Sequence, residues 1–355
     1  MSMLTLPALV DAHVHFREPG GTHKEDFDSG TQAALAGGIS VVLEMPNTRP
    51  PTVDAATLAE KERVAAQKAH CDFGLFAGAT EENAPACAAL GGRLAGLKIY
   101  AGPTYGPLML SEMPALMAHF AAWAGPGPIA VHAEGAMLAV AIALGRAYRR
   151  PTHLCHVSRA YEIELIRRSK AEGAPITCEV TPHHLFLTED DAARLGPLGH
   201  MKPALGSAAD VDALWRNLDV VDIFATDHAP HTLAEKRGEN PPPGVPGVET
   251  MLPLLLTAVT EGRLMLGDVV SRLHDGPARV FGLRLPPAET VIDDAAVWEI
   301  GNEPLFTRCG WTPFAGMRAT GRVVSVKLRG ELAYRDGRVL APAGFGRNVR
   351  MALLS

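Results

Sequence analysis

His13 and His15, one residue apart, close an apolar run near the start of the chain. Four further metal-ligating side chains end later apolar runs: Lys98, His132, His156 (with Cys155 beside it) and Asp227. Zinc takes imidazole nitrogen, thiolate sulfur and carboxylate oxygen. Ligands scattered over several strand ends are what a barrel of parallel strands brings together. The chemistry this suggests is metal-assisted hydrolysis, in which bound metal makes water a nucleophile near neutral pH.

Each residue has a plainer reading as well. An H-x-H pair alone is a weak motif. Alternation along a strand puts His13 and His15 on one face, here the barrel interior. Lys98 lies inside the apolar run Gly96–Tyr100, where a lysine is rarely buried unless paired. It either snorkels to solvent or offers a neutral, desolvated amine able to take up carbon dioxide. The resulting carbamate is anionic and can bridge two cations. His132 and His156 end successive runs at the same end, which favours ligation over two isolated structural histidines. Cys155 and Glu179 fall near the same layer. They read as groups that orient ligands, or as an ordinary buried thiol and its neighbour, ahead of ligands to a third zinc. Asp227 sits in Thr226–His231, TDHAPH, where one carboxylate can bind metal and carry a proton. His231, after the turn at Pro230, is the better substrate contact, and His228 a brace for the loop. His23, His70, His119, His200 and His274 read as surface or structural.

Eight strand-like runs position these residues: 8–15, 40–45, 72–77, 96–101, 128–133, 152–157, 176–180 and 222–226. Helical stretches alternate with them at 28–36, 54–69, 111–124, 134–149 and 158–172, several opening on Ser or Asp and the last ending at Gly173. Thr250–Val259 would close the set. Eight βα units predict an α/β fold, a (β/α)8 TIM-type barrel over 8–285. An open doubly wound sheet would want a glycine-rich loop after its first strand, where this chain has His-Val-His. Residues 1–7 and 286–355 read as a small β-rich appendage without chemistry, its strands at 323–328, 330–335 and 339–340 around an Asp336-Gly337 turn. Glu239–Gly247, ENPPPGVPG, is a rigid loop near the site.

The chain has 355 residues and a net charge of −6, which argues against a general nucleic-acid binder. No apolar run is long enough to span a bilayer, and no signal-peptide pattern opens the sequence. Five cysteines without paired spacing fit a reducing cytoplasm.

Taken together, the segments Asp11–Phe27, Glu44–Pro51, Gly96–Tyr100, Cys155–Arg159, Cys178–Thr188 and Ala225–Lys236 resemble those of the dihydroorotases, in the amidohydrolase superfamily. The similarity runs from about Leu9 to the C-terminus. It is strongest to the dihydroorotase domain of the multifunctional pyrimidine-synthesis polypeptide of animals, the tail from Trp311 and a near absence of β structure before the first strand included. The resemblance implies two zinc ions bridged by carboxylated Lys98. His13, His15 and Asp227 would hold one, His132 and His156 the other. It implies a substrate clamp of Arg17, Asn47 and His231, and a mobile loop at Gly102–Leu108 with Thr104 and Tyr105 as its contacts. Allantoinases and hydantoinases share the metal ligands but commonly lack the Arg and Asn pair. Lys202 departs from the pattern: the animal enzyme has Arg there and many bacterial ones Asn. A lysine can hold a carboxylate but cannot fork to it.

The activity implied is zinc-dependent, reversible cyclisation of N-carbamoyl-L-aspartate to L-dihydroorotate, with Asp227 moving the proton. The alternatives are another cyclic-amide hydrolase, such as allantoinase or dihydropyrimidinase, and a scaffold partner of aspartate carbamoyltransferase. Retention of every ligand type argues against a scaffold alone. A homodimer is expected from the family and from the frequency of twofold assemblies.

Overall fold

Each apolar run that ends in a ligand-type side chain forms a strand. The computed structural model describes residues 3–351. The chain enters through β1 (Met3–Leu6) and then builds eight parallel strands in sequence order. These are β2 (Val10–Val14), β3 (Val41–Glu44), β4 (Asp72–Gly78), β5 (Gly96–Tyr100), β6 (Ile129–His132), β7 (Thr152–Leu154), β8 (Ile176–Val180) and β9 (Ile223–Phe224). The ring closes where Val14 bridges His228 in parallel and the His15 amide donates to the His228 carbonyl at 2.8 Å. The eight-stranded parallel barrel and its antiparallel appendage are the architecture expected from the βα alternation.

Two apolar layers keep the strands in place. Val10, Ala12, Val41, Leu43, Phe76, Ala130 and Ile223 fill the inside, sealed by Phe281 and Leu283. Leu9, Val14, Val42, Leu97, Ile129 and Leu154 belong to the outer layer under the helices. Val10 and Ala12 face inward but Val14 faces outward. The register shift between Asp11 and Val14 accounts for this. The bulge re-aims the strand, so His13 and His15 turn inward.

The helices between strands begin and end where local chemistry demands. Asp26 caps α1 (Phe27–Ala36) and Asp54 caps α2 (Ala55–Lys68), each in a capping box. A short α3 (Ala84–Leu90), which has no strong sequence signature, precedes β5. Then come α4 (Met113–Ala122), α5 (Ala136–Tyr148) and α6 (Ala160–Ala171). The last starts two residues after Ser158, because the Glu162 carboxylate takes the Ser158 and Arg159 amides before the helix begins. Gly173, at φ 79°, turns the chain off it.

The appendage is a five-stranded antiparallel sheet in the order β1, β10 (Ala288–Glu299), β11 (Arg318–Leu328), β12 (Glu331–Arg335), β13 (Arg338–Val339). Its longest strand, β10, has no clean alternation: Asp293-Asp294 interrupts it, and the register shifts there. Among the described residues no helix is long and apolar enough to cross a membrane.

Candidate active site

The C-terminal ends of the barrel strands converge on one cavity. His13, His15, Arg17, Asn47, Thr104, Tyr105, His132, His156, Lys202 and Asp227 all line it. Lys98 lies beneath, fully buried, its amine 3.0 Å from the Cys155 sulfur and over the Tyr100 ring. His231 stands behind Arg17, 3.2 Å from its guanidinium. Every residue anticipated as a ligand or clamp is therefore in or against one site.

Hydrogen bonds settle which ring nitrogens are bare. Asn47 donates its amide to the Tyr105 carbonyl at 2.8 Å, so its oxygen faces His15 Nδ1 at 2.7 Å and must accept from it. His15 Nε2 is then a lone pair, 2.9 Å from Asp227 Oδ1. His13 repeats the arrangement. Its Nδ1 donates to Glu179 at 2.5 Å, and its Nε2 faces the same Asp227 oxygen at 3.3 Å. Acceptors this close need a cation or a proton between them. His132 Nε2 and His156 Nδ1 are also buried without a hydrogen-bond partner. One ligand atom each from His13, His156 and Asp227 lies within 4.8 Å of the others. His132 Nδ1 and His156 Nε2 face each other at 2.9 Å, and this gathering of imidazoles with a buried carboxylate fits divalent metal.

Burial alone would raise the Asp227 carboxyl, but His13, His15 and His156 hold it well below the usual range. Against burial and Lys98, Glu179 and Asp227 push His13 up to about 10, so without metal a proton sits between His13 and Asp227. Burial pushes His15 and His132 down to about 3, the form that ligates metal. Lys98 as a cation adds to that push on His132. The backbone pays locally for this geometry. Arg17, His156 and Asp227 adopt φ of 61°, 35° and 48°, in the left-handed region that side chains other than glycine rarely occupy.

Residues 4–266 match the Amidohydrolase family. The chain belongs to that family. It is 35% identical over 364 residues to the dihydroorotase of Pyrococcus furiosus, covering 94% of this chain and 82% of that one. It is 49% identical over 350 residues to the multifunctional protein CAD of Squalus acanthias, covering 98% of this chain but 16% of that protein. Among solved structures, L-hydantoinase from Arthrobacter aurescens superposes with a TM-score of 0.91 at 26% identity, covering 98% of this chain and 88% of that one.

In this amidohydrolase Glu179 is wholly engaged. It accepts from His13, from His153 Nε2 at 3.0 Å and from the His156 amide at 3.2 Å, so it orients two imidazoles at once. Ligand atoms of His13, Cys155 and Glu179 nevertheless approach within 4.8 Å of one another. His228 braces the loop as anticipated, its Nδ1 accepting from the Gly247 amide at 3.1 Å. Lys202 is exposed at the rim.

The sequence reading passed over several contributors. Buried Lys24 reaches both Tyr105 and His231. It sits in a run of charge, HKED, that reads as solvated. Asp11 accepts from the Thr226 amide at 3.0 Å across the barrel closure, and burial pushes its carboxyl up to about 7. The segment after residue 286 also braces the site. Trp311 donates its indole N–H to the His231 carbonyl at 2.7 Å. Arg308 donates its amide to Glu25 at 3.2 Å. No local motif marks these tail residues, because their partners lie far away in the sequence.

Proposed function

We infer that this chain is a dihydroorotase, interconverting N-carbamoyl-L-aspartate and L-dihydroorotate in pyrimidine synthesis. The observation that carries the reading is Arg17 beside the metal-binding histidines, with the His231 ring against its guanidinium. A forked cation at that position suits the carboxylate of dihydroorotate. A hydantoin ring offers none, which disfavours the hydantoinase reading. The chain spans 16% of the multifunctional relative, so a place in a larger assembly with aspartate carbamoyltransferase is part of this proposal.

Arg17 and His231 hold the substrate carboxylate, with Lys202 at the rim and Thr104 and Tyr105 over the top. Asn47 fixes His15 and the loop. This orients the ring amide over the imidazole cluster. Asp227 takes the proton of the attacking water and returns it to the ring nitrogen as the carbon–nitrogen bond breaks. The ureido product leaves, and synthesis runs the same path backward. His13, His15 and Asp227 would hold one zinc, and His132 and His156 a second, with carboxylated Lys98 between them. Zinc there would acidify the water and polarise the carbonyl. Carboxylation of Lys98 replaces a cation among imidazoles by an anion, which suits two cations.

The test is zinc content and dihydroorotate hydrolysis on one purified sample, with and without chelator. About two zincs per chain with chelator-sensitive turnover is the expected result. Three would place Cys155 and Glu179 among the ligands. Bound zinc without turnover of dihydroorotate would overturn the substrate assignment.

A homodimer completes the proposal. The outer faces of α3, α4 and α5 carry Pro85, Ala86, Ala89, Met113, Met117 and Ala139 exposed, and no charged side chain between Met113 and Leu144 apart from Glu134. The outer faces of α2 and α6 carry Glu60, Arg63, Glu164 and Arg168 instead. An uncharged apolar face can meet its own copy about a twofold axis without like-charge repulsion. All five cysteines are free and buried, which suits the cytoplasm.

A further inference from the structure

Lys24 lies outside the metal cluster, yet its side chain is buried and all three of its N–H groups are used. They reach the Tyr105 hydroxyl at 2.8 Å, His231 Nδ1 at 3.0 Å and Glu235 at 3.1 Å. An ammonium can only donate. His231 Nδ1 must therefore accept, and the ring proton sits on Nε2, 3.0 Å from the Pro243 carbonyl. Nε2 and the Arg17 guanidinium nitrogen lie 3.2 Å apart, so the ring, its proton taken by Pro243, fixes where the Arg17 guanidinium stands at the cavity wall. The Tyr105 ring closes over the same point. It packs edge-on to His231 at 4.7 Å and lies 5.0 Å from the Arg17 guanidinium carbon, and its carbonyl is held by Asn47. Gly106, at φ 119°, lets the loop turn directly against Asn47.

We propose that Lys24 is a positioning residue that makes loop closure and carboxylate recognition a single event. It fixes His231 as an Nε2–H donor and, through the Tyr105 hydroxyl, latches the loop 102–108 over the clamp. The inference rests on the reading of Arg17 and His231 as that clamp. Opening the loop breaks the phenol–ammonium bond, and losing the ammonium frees both the loop and the His231 tautomer.

Three measurements test this. In ligand-free protein, Tyr105→Phe keeps the ring and removes the latch, so amide exchange across 102–108 should rise about tenfold, the effect of one charged hydrogen bond. Unchanged exchange overturns the latch. In Lys24→Met, nitrogen NMR of labelled histidine should show His231 leaving the pure Nε2–H form. A tautomer identical to wild type overturns the positioning role. In the same variant KM for dihydroorotate should rise about tenfold with kcat within about twofold, and a fall in kcat alone counts against it. If Lys24→Met does not fold, Tyr105→Phe decides on exchange and KM together. A wild-type enzyme that ignores dihydroorotate sinks the proposed substrate, and the exchange and tautomer results still judge the latch.

Discussion

Asp227 turns one oxygen to two imidazole nitrogens, at 2.9 and 3.3 Å. Its neighbours, rather than its own acidity, keep it ionised. An asparagine there can still offer an oxygen to metal but cannot carry a proton. Asp227→Asn should lower kcat by about a thousandfold while elemental analysis finds most of the metal in place. Activity within tenfold of wild type would remove Asp227 as the proton carrier. Arg17 differs, because its bonds are to Pro230 and His231 rather than to the imidazole cluster. Arg17→Ala should cost about a hundredfold in kcat/KM with zinc retained. Asp227 was singled out because a strand-end histidine pair and a TDHAPH segment carry their chemistry locally, whereas Arg17 was picked out only by resemblance. The Lys24 contacts were not legible, since Tyr105, His231 and Glu235 come from distant segments brought together by the barrel.

At the scale of elements, the alternation of strand and helix was readable except at α3 and at the helix Ala208–Arg216 between β8 and β9, and other departures have local causes. The eighth strand keeps two ladder residues, Ile223–Phe224, because Asp222 spends its side chain on the Cys178 amide and Lys170, and Asp11 draws Thr226 across the closure. Helix α4 starts at Met113 rather than Ser111, with Pro114 in its first turn. Its outer face is where a partner is expected. Met117 is 43% exposed on that face. Met117→Glu would set two carboxylates against each other across a twofold axis. Sedimentation should show a dimer for the wild type and a monomer for this variant at micromolar concentration, with the monomer still folded. A variant that stays dimeric moves the interface elsewhere.

Over the whole molecule, buried histidines set the acid limit. Burial drives seven of them down: His15, His119, His132, His156, His183, His184 and His231. Unfolded, each takes a proton near pH 6.5. Between about pH 6.5 and 4.5 the unfolded chain therefore binds more protons at these sites, and stability falls as pH falls. Burial pushes Asp11 and Glu249 up to about 7 and raises Glu44, Asp72 and Glu162, and these five act oppositely, but Asp227, Glu179 and Glu235, all held down, act with the histidines. Urea midpoints should decline steadily as pH falls below about 6.5. A midpoint that rises on acidification would contradict the burial of these rings. None of this was legible beforehand, because burial depends on packing between distant segments. His183 and His184, adjacent in sequence and both buried, give no local sign of it.

The closure between first and last strands has a mechanical meaning. His15 and Asp227 stand 212 residues apart in the chain and on opposite sides of that seam. A cation gripping both is a staple across nearly the whole barrel, comparable in reach to a long-range cross-link. Releasing it loosens the joint between the first and last barrel strands. The rate at which the protein exchanges its metal and the rate at which its seam unzips should then be two views of the same motion.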